Sequence, residues 1–211
     1  MDTTYFGRSF GVMLFKDATS GENLFKQYVK YETNQLYANG IVHLKEQGYT
    51  IKAIVCDGRK GLFGLFAGIP IQMCQFHQIA IITRYLTRRP KSQAAKELRS
   101  LTLALARTSK ENFTEKLADW FDKWKPFLDE RTINQETGKS FYTHRRLRSA
   151  TRSLRTNLSW LFTYQDNPDL KIPNTTNAID GHFADLKNKL RCHNGLSKIR
   201  KMKFINEFFK A

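Results

Sequence analysis

The spacing of hydrophobic residues in the first third of this chain predicts β-strands, and no other sequence feature constrains the fold more. Short apolar segments occupy residues 2–6, 9–16 and 23–31, and the turn-forming segment 17–22 separates the second from the third. Runs of this length between turn residues are typical of antiparallel strands joined by tight connections. The chain therefore begins with three predicted antiparallel strands.

Beyond this unit the pattern alternates between helix and strand. The predicted helices and strands cover 33–47 (helix), 51–56 (strand), 61–67 (short helix), 71–74 (strand) and 75–86 (helix). A strand trio followed by alternating helices and strands indicates a mixed α/β sheet.

The remainder of the chain has helical spacing. The predicted helices cover 92–107, 111–124, 142–164, 177–190 and 197–209, with a polar break at 134–139. In the second of these, Phe113, Leu117, Trp120, Phe121 and Trp124 occur at helical spacing, which predicts core positions and not a stacking surface.

The charge of the chain favours a polyanionic partner. Its 211 residues include 35 Lys and Arg against 19 Asp and Glu, for a formal net charge of +16. Lys and Arg that neutralise phosphates release condensed counterions, so nucleic acid is the favoured partner. A basic protein with no specific partner remains the alternative.

Cysteine number and hydropathy bear on the compartment. The three cysteines are an odd number in a long chain, which argues against a disulfide framework and favours a reducing interior such as the bacterial cytoplasm and its nucleoid. The first residues lack the basic and apolar segments of a secretory signal. The most apolar stretch, 62–82, is interrupted by Gly, Pro, Gln and His, so we predict no membrane partner.

Three aspartates stand where catalytic carboxylates are often found. Asp2 lies in the first strand, Asp57 ends the strand 51–56, and Asp180 lies early in the helix 177–190. Each has a simpler interpretation as well. Asp2 is close to the terminus, Asp57 precedes Gly58 in a turn-like pair, and Asp180 follows Asn177 as an acid does in a capping box.

Taken together, four motifs resemble those of bacterial insertion-sequence transposases related to Mutator-like elements. The motifs are Asp2-Thr3-Thr4-Tyr5-Phe6, Cys56-Asp57-Gly58, Cys74-Gln75-Phe76-His77, and Thr176-Asn177-Ala178-Ile179-Asp180 followed by Phe183, Leu186 and Lys187. They occur in the family's order and span nearly the whole chain.

The resemblance implies a fold and a domain organisation. The fold would be a ribonuclease H-like mixed sheet with flanking helices and a large all-helical insertion. Residues 1–87 would form the first part of the catalytic core, 88–166 the insertion, and 167–211 the helices that complete the core.

The resemblance also implies roles for residues. Asp2, Asp57 and Asp180 would be the catalytic carboxylates and would bind two Mg²⁺ ions, for which Mn²⁺ can substitute. Cys74, His77 and Asn177 would support the active site. Asp180 stands where the family usually has glutamate. The chain also begins one residue before Asp2, without the family's preceding DNA-binding region, which indicates a truncated copy.

Three further sets of residues are candidates for contact with a metal, a phosphate or DNA. A structural zinc site is an alternative for Cys74 and His77 if Cys192 and His193 supply the other ligands. His182 is either close to bound phosphates or solvated.

The residues predicted to contact the DNA backbone are Arg145, Arg146, Arg148, Arg152, Arg155, Lys187, Arg191, Lys198, Arg200 and Lys201. A solvated basic face is the alternative for them.

The resemblance predicts a transposase that hydrolyses phosphodiesters at transposon ends and joins the ends to target DNA, acting as a dimer or larger assembly. Two alternatives remain open. One is a degenerate remnant that only binds DNA, and the other is a ribonuclease H-like nuclease that cleaves without joining.

Overall fold

Three antiparallel strands open the fold, as the sequence predicts. A computed structural model describes residues 1–210. In it, β1 (Asp2–Phe6), β2 (Phe10–Lys16) and β3 (Asn23–Val29) form a sheet in the order β1-β2-β3. The hairpin between β1 and β2 turns at Gly7, whose φ of +65° is a conformation that glycine adopts without strain.

Two short parallel strands, β4 (Ile54–Cys56) and β5 (Ile71–Met73), follow. The backbone nitrogen of Met1 donates to the Val55 carbonyl at 2.9 Å, which places the start of β1 beside β4. The strand predicted over 51–56 is thus shorter than expected. Residues 51–53 line an open cavity of about 680 Å³ beside Met1, so no neighbouring strand is in place to pair with them.

Helices cover both faces of the first sheet. The helix α1 (Asn34–Glu46) packs against Met13 and Phe15 on one face. The helices α7 (Asn177–Arg191) and α8 (Lys198–Phe208) pack against Val12 and Leu14 on the other. Successive residues of a strand point to opposite faces, so β2 is buried on both sides and the sheet forms the middle of three layers.

A separate hydrophobic core holds the helical middle of the chain together. It is built mainly from α2 (Gln75–Leu86), α3 (Gln93–Leu103), α4 (Lys110–Asp129) and α5 (Arg145–Leu161). The predicted core residues Phe113, Leu117 and Trp120 are buried, whereas Phe121 and Trp124 are half-buried and pack against this core. The Trp120 indole N–H donates to the Ala94 carbonyl at 3.1 Å.

Two predictions for the helical middle were wrong in detail. The strands β6 (Arg131–Ile133) and β7 (Ser140–Tyr142) form a hairpin around the segment predicted as a polar break. The helix predicted over 142–164 is divided into α5 and the short α6 (Thr163–Asp166). The hairpin strands are short and mostly exposed, so hydrophobic spacing gives no sign of them.

The chain is therefore a mixed α/β protein with a helical middle section. Within residues 1–210, no helix is long and apolar enough to span a lipid bilayer.

Candidate active site

The three aspartates lie on neighbouring elements of the α/β part. Asp2 opens β1, Asp57 directly follows β4, and Asp180 is in the first turn of α7, which packs against β1. Side-chain alternation places Thr3 toward α1, where its hydroxyl meets Tyr37 at 2.9 Å. Asp2 therefore belongs to the opposite face, which α7 covers.

The other two aspartates affect the ionisation of Asp2. Burial is the main cause that raises the pKa of Asp2 to about 7, and the negative charges of Asp180 and Asp57 raise it further. The hydrogen bond from the Thr3 backbone N–H, at 2.8 Å, opposes this shift. The elements thus place Asp57 and Asp180 close enough for their charges to act on Asp2.

The carboxylate of Asp180 is held by a residue that the sequence did not single out. The Thr176 hydroxyl donates to Asp180 Oδ2 at 3.0 Å. Asn177, which resembled a helix cap, is the first residue of α7 and is exposed, while Thr176 occupies the cap position. The capping-box interpretation of Asp180 was therefore wrong. A hydroxyl four residues before an acid at a helix start is the only sequence signal for this contact, and it is a weak one.

Cys74 and His77 meet the same threonine. Both the backbone nitrogen and the hydroxyl oxygen of Thr176 lie 3.3 Å from Cys74 Sγ, and the hydroxyl lies 3.5 Å from His77 Nδ1. Cys74, His77 and Asp180 therefore surround Thr176, which is buried. Below, Thr176 with these three neighbours is called the Thr176 network.

The Cys74 thiol and the His77 imidazole each shift the pKa of the other toward the charged form. The hydrogen bond with Cys74 is the main cause that raises the pKa of His77 to about 9. Burial opposes ionisation of the Cys74 thiol, but hydrogen bonds from His77 and Thr176 outweigh burial and lower the pKa of Cys74. Their contacts with Thr176 hold the start of α2 against the start of α7.

The alternative zinc site is not assembled. Cys192 caps the far end of α7, a helix of 15 residues, so it lies roughly 20 Å along the helix axis from Thr176. The ring of His193 packs against Phe204, with 5.5 Å between the ring centroids. Cys74 and His77 therefore lie beside the start of α7, and Cys192 and His193 lie beyond its end.

The donor chemistry of the aspartates suits Mg²⁺, but their arrangement is open. Carboxylate oxygens are the ligands that Mg²⁺ prefers, and a cation would relieve the repulsion that raises the pKa of Asp2. Within residues 1–210, no three His, Cys, Asp or Glu side chains are close enough together to hold a metal ion. Metal binding at this site therefore requires the carboxylates to move toward one another.

His182 is half-buried on α7 and not a fully solvated helix residue, and its proximity to bound phosphates stays a prediction. Its ring packs against the rings of Phe208 and Phe209, at centroid distances of 4.9 and 5.2 Å. Nδ1 is buried and has no hydrogen-bond partner among residues 1–210. Burial, with help from the charges of Lys16 and Lys189, lowers the pKa of His182. The ring packs between α7 and the end of α8.

Several arginines of α5 have partners within the protein. Arg148 donates to both the Leu128 carbonyl and Asp129 Oδ1 at 2.8 Å, and Arg146 donates to the Arg84 carbonyl at 3.1 Å. The guanidinium of Arg155 lies 4.7 Å from the centre of the Phe121 ring. Arg148 therefore has a structural role in addition to any contact with DNA.

The other basic residues predicted to meet DNA are on or near the surface. Arg145 and Arg152 are exposed on α5. On α7 and α8, exposed or half-buried side chains belong to Lys187, Arg191, Lys198, Arg200 and Lys201. DNA contact by these residues stays a prediction.

None of the known protein-family models matches this chain, and no curated protein matches it either. What the chain does must therefore be inferred from its own side chains, their geometry and the motifs that they form.

Proposed function

We propose that this chain is the catalytic domain of a DNA transposase with a ribonuclease H-like fold. One observation carries the proposal: Asp2 opens β1, Asp57 directly follows β4, Asp180 lies on the helix that packs against β1, and the charges of Asp57 and Asp180 act on Asp2. The four motifs that resemble insertion-sequence transposases contain all three of these aspartates, together with the Thr176 network.

The strand order supports the fold assignment. The three antiparallel strands and the parallel pair of β4 and β5 form two separate sheets, and one hydrogen bond from Met1 to the Val55 carbonyl lies between β1 and β4. If the two sheets were joined at this contact, the order would be β3-β2-β1-β4-β5, which is the order of a ribonuclease H-like sheet. The helices α3, α4 and α5 lie within residues 88–166, the helical insertion that the resemblance implies, and α2 precedes it but packs into the same core.

In the proposed mechanism Asp2, Asp57 and Asp180 would bind two Mg²⁺ ions. When bound, such ions activate the attacking oxygen and stabilise the leaving oxygen of a phosphodiester. The protein's own residues orient the carboxylates: the Thr176 hydroxyl fixes one oxygen of Asp180, and the Thr3 N–H fixes one oxygen of Asp2. His77 and Cys74 hold Thr176 in place from the other side.

The test is a metal-dependent strand-transfer assay. A supercoiled plasmid and a labelled duplex with free 3′-hydroxyls are incubated with protein and Mg²⁺ or Mn²⁺. We expect wild-type protein to nick the plasmid and join the duplex to it, and we expect Asp57→Ala to do neither. Asp185→Ala is the matched control, because Asp185 is exposed on α7 and pairs only with Lys189. Normal joining by Asp57→Ala would remove this residue from the mechanism.

A remnant that only binds DNA is the second candidate. The open arrangement of the carboxylates favours it, as does aspartate where the family usually has glutamate. It predicts salt-sensitive DNA binding without any metal-dependent cleavage. A ribonuclease H-like nuclease would instead cleave without joining, so the same assay separates all three.

The proposal extends to partners and location. Transposon ends and target DNA would be the substrates, and the active species would be a dimer or a larger assembly on DNA. In a bacterial cell these substrates lie in the nucleoid.

A further inference from the structure

The hairpin of β6 and β7 has no role in the proposed active site. All three residues of β6 are exposed, and so is Ser140 of β7. The connecting turn closes with a hydrogen bond from the Asn134 N–H to the Lys139 carbonyl at 3.0 Å. We call residues 131–142 the ribbon. It leaves two exposed strands without a third strand on either edge.

The base of the ribbon is firmly attached to the helical core. Arg148 of α5 stacks 3.5 Å from the centre of the Tyr142 ring while it donates to Asp129 and the Leu128 carbonyl. The ring of His144 stacks on Phe127, with 3.6 Å between the centroids, and its Nε2 lies 2.8 Å from Glu130. A two-stranded hairpin is marginally stable alone, and these contacts supply the support that it needs.

The charge on the ribbon and the adjoining turn of α5 is strongly positive. Between residues 131 and 148 the chain has one acidic residue and five basic ones, which are Arg131, Lys139, Arg145, Arg146 and Arg148. Within residues 1–210, only Arg148 of these five forms an ion pair. The unpaired charges are therefore available to an outside anion.

Aromatic rings hold two of the unpaired cations in place at the surface. The Arg131 guanidinium lies 4.6 Å from the centre of the Tyr142 ring, and the Arg145 guanidinium lies 4.0 Å from the centre of the Phe141 ring. A guanidinium stacked on a ring keeps its N–H groups at the edge, where they can still bind phosphate. Fixed cations lose less conformational freedom on binding than mobile ones.

We propose that the ribbon, with the first turn of α5, is a binding surface for double-stranded DNA. The major groove of B-form DNA is wide enough for a two-stranded ribbon, and the unpaired cations Arg131 on β6, Lys139 beside β7 and Arg145 on α5 would then meet phosphates along the groove. Duplex RNA is a poor fit, because its major groove is narrow and deep. The inference rests on the proposed function only in taking DNA as the partner.

The experiment measures affinity for a fluorescein-labelled DNA duplex of mixed sequence by fluorescence anisotropy over a series of salt concentrations. The test variant is Arg131→Gln with Lys139→Gln. Each lost phosphate contact lowers the slope of log affinity against log salt by about 0.9, so we expect the slope to fall by about 2 and the affinity to fall at every salt concentration.

The matched control removes two lysines from α4, Lys116→Gln with Lys125→Gln. Both are exposed, and Glu115, Asp119 and Asp122 lie on the same helix. We expect this variant to bind as the wild type does. Lys139→Gln alone keeps the Arg131 stack, because the side chain of Lys139 makes no hydrogen bond or ion pair within residues 1–210, so its effect does not depend on the folding of the ribbon.

The ribbon proposal is overturned if the double variant keeps the wild-type slope, if the control loses as much, or if duplex RNA binds more tightly than duplex DNA. The proposed transposase function fails separately. A protein that binds DNA through the ribbon but never cuts it would retain the binding surface and lose the catalytic assignment.

Discussion

Asp2 should make the folded protein less stable above neutral pH, because its carboxyl group ionises in a buried setting. The pKa of Asp2 is raised from 3.8 to about 7, first by burial and then by Asp180 and Asp57. A folded pKa above the unfolded one means that ionisation opposes folding. The penalty is absent below about pH 4, grows as pH rises toward 7, and is complete above pH 7.

The size of the penalty follows from the shift. About three pKa units at roughly 1.4 kcal/mol each give an upper value of ~4 kcal/mol. Asparagine is neutral at every pH, and its amide oxygen can still accept from the Thr3 N–H. We therefore expect Asp2→Asn to unfold at higher urea concentration than wild type at pH 8, with the difference decreasing toward zero near pH 4.

The measurement is a set of urea denaturation curves between pH 4 and pH 8, with any purification tag at the C-terminus because the Met1 amino group lies near Asp2. Asp185→Asn is the control, since Asp185 is exposed and should show no such trend. Mg²⁺ should raise the stability of wild type at pH 8 more than that of Asp2→Asn. A stability difference that does not change with pH, or a less stable Asp2→Asn at pH 8, would refute the reasoning.

Two more substitutions test the site and its scaffold. Thr176→Val keeps the shape of the side chain but leaves Asp180 Oδ2 without its hydrogen-bond donor. We therefore expect a clear loss of metal-dependent strand transfer in this variant, and we expect Thr176→Ser to keep the activity. Equal activity of the valine and serine variants would contradict a positioning role for Thr176. Gly40→Ala should destabilise the fold by about 1–3 kcal/mol, because a Cβ at position 40 would overlap the Phe15 ring where α1 crosses β2. Gly64→Ala is the control for thermal denaturation, since a Cβ at position 64 meets nothing within 4 Å. Equal melting temperatures of Gly40→Ala and Gly64→Ala would show that α1 can shift without a loss of stability.

Local patterns were sufficient to predict most of the helices and strands. The trio of β1, β2 and β3 is marked by apolar runs between turn residues, and α1, α2, α7 and α8 lie close to their predicted bounds. These elements bury one face or two, so their hydrophobic spacing records the contact with the core. The positions of Asp2, Asp57 and Asp180 at the ends of such elements were visible for the same reason.

Other features depend on contacts between distant parts of the chain. The ribbon buries little, and its stability comes from stacking on α4 and α5, so nothing in its own spacing predicts it. β4 begins at Ile54, later than its apolar run, because pairing needs a neighbouring strand and residues 51–53 have none.

The Thr176 network is the clearest case of what tertiary structure alone decides. Cys74 and Thr176 are 102 residues apart in the chain and meet at 3.3 Å, because α2 and α7 begin at the same place in the fold. The sequence by itself determined which residues carry acidic, thiol and imidazole groups, and on which elements they lie. Their distances, their burial and thus their protonation are properties of the packed helices, since each hydrogen bond and each pKa shift needs both partners in place.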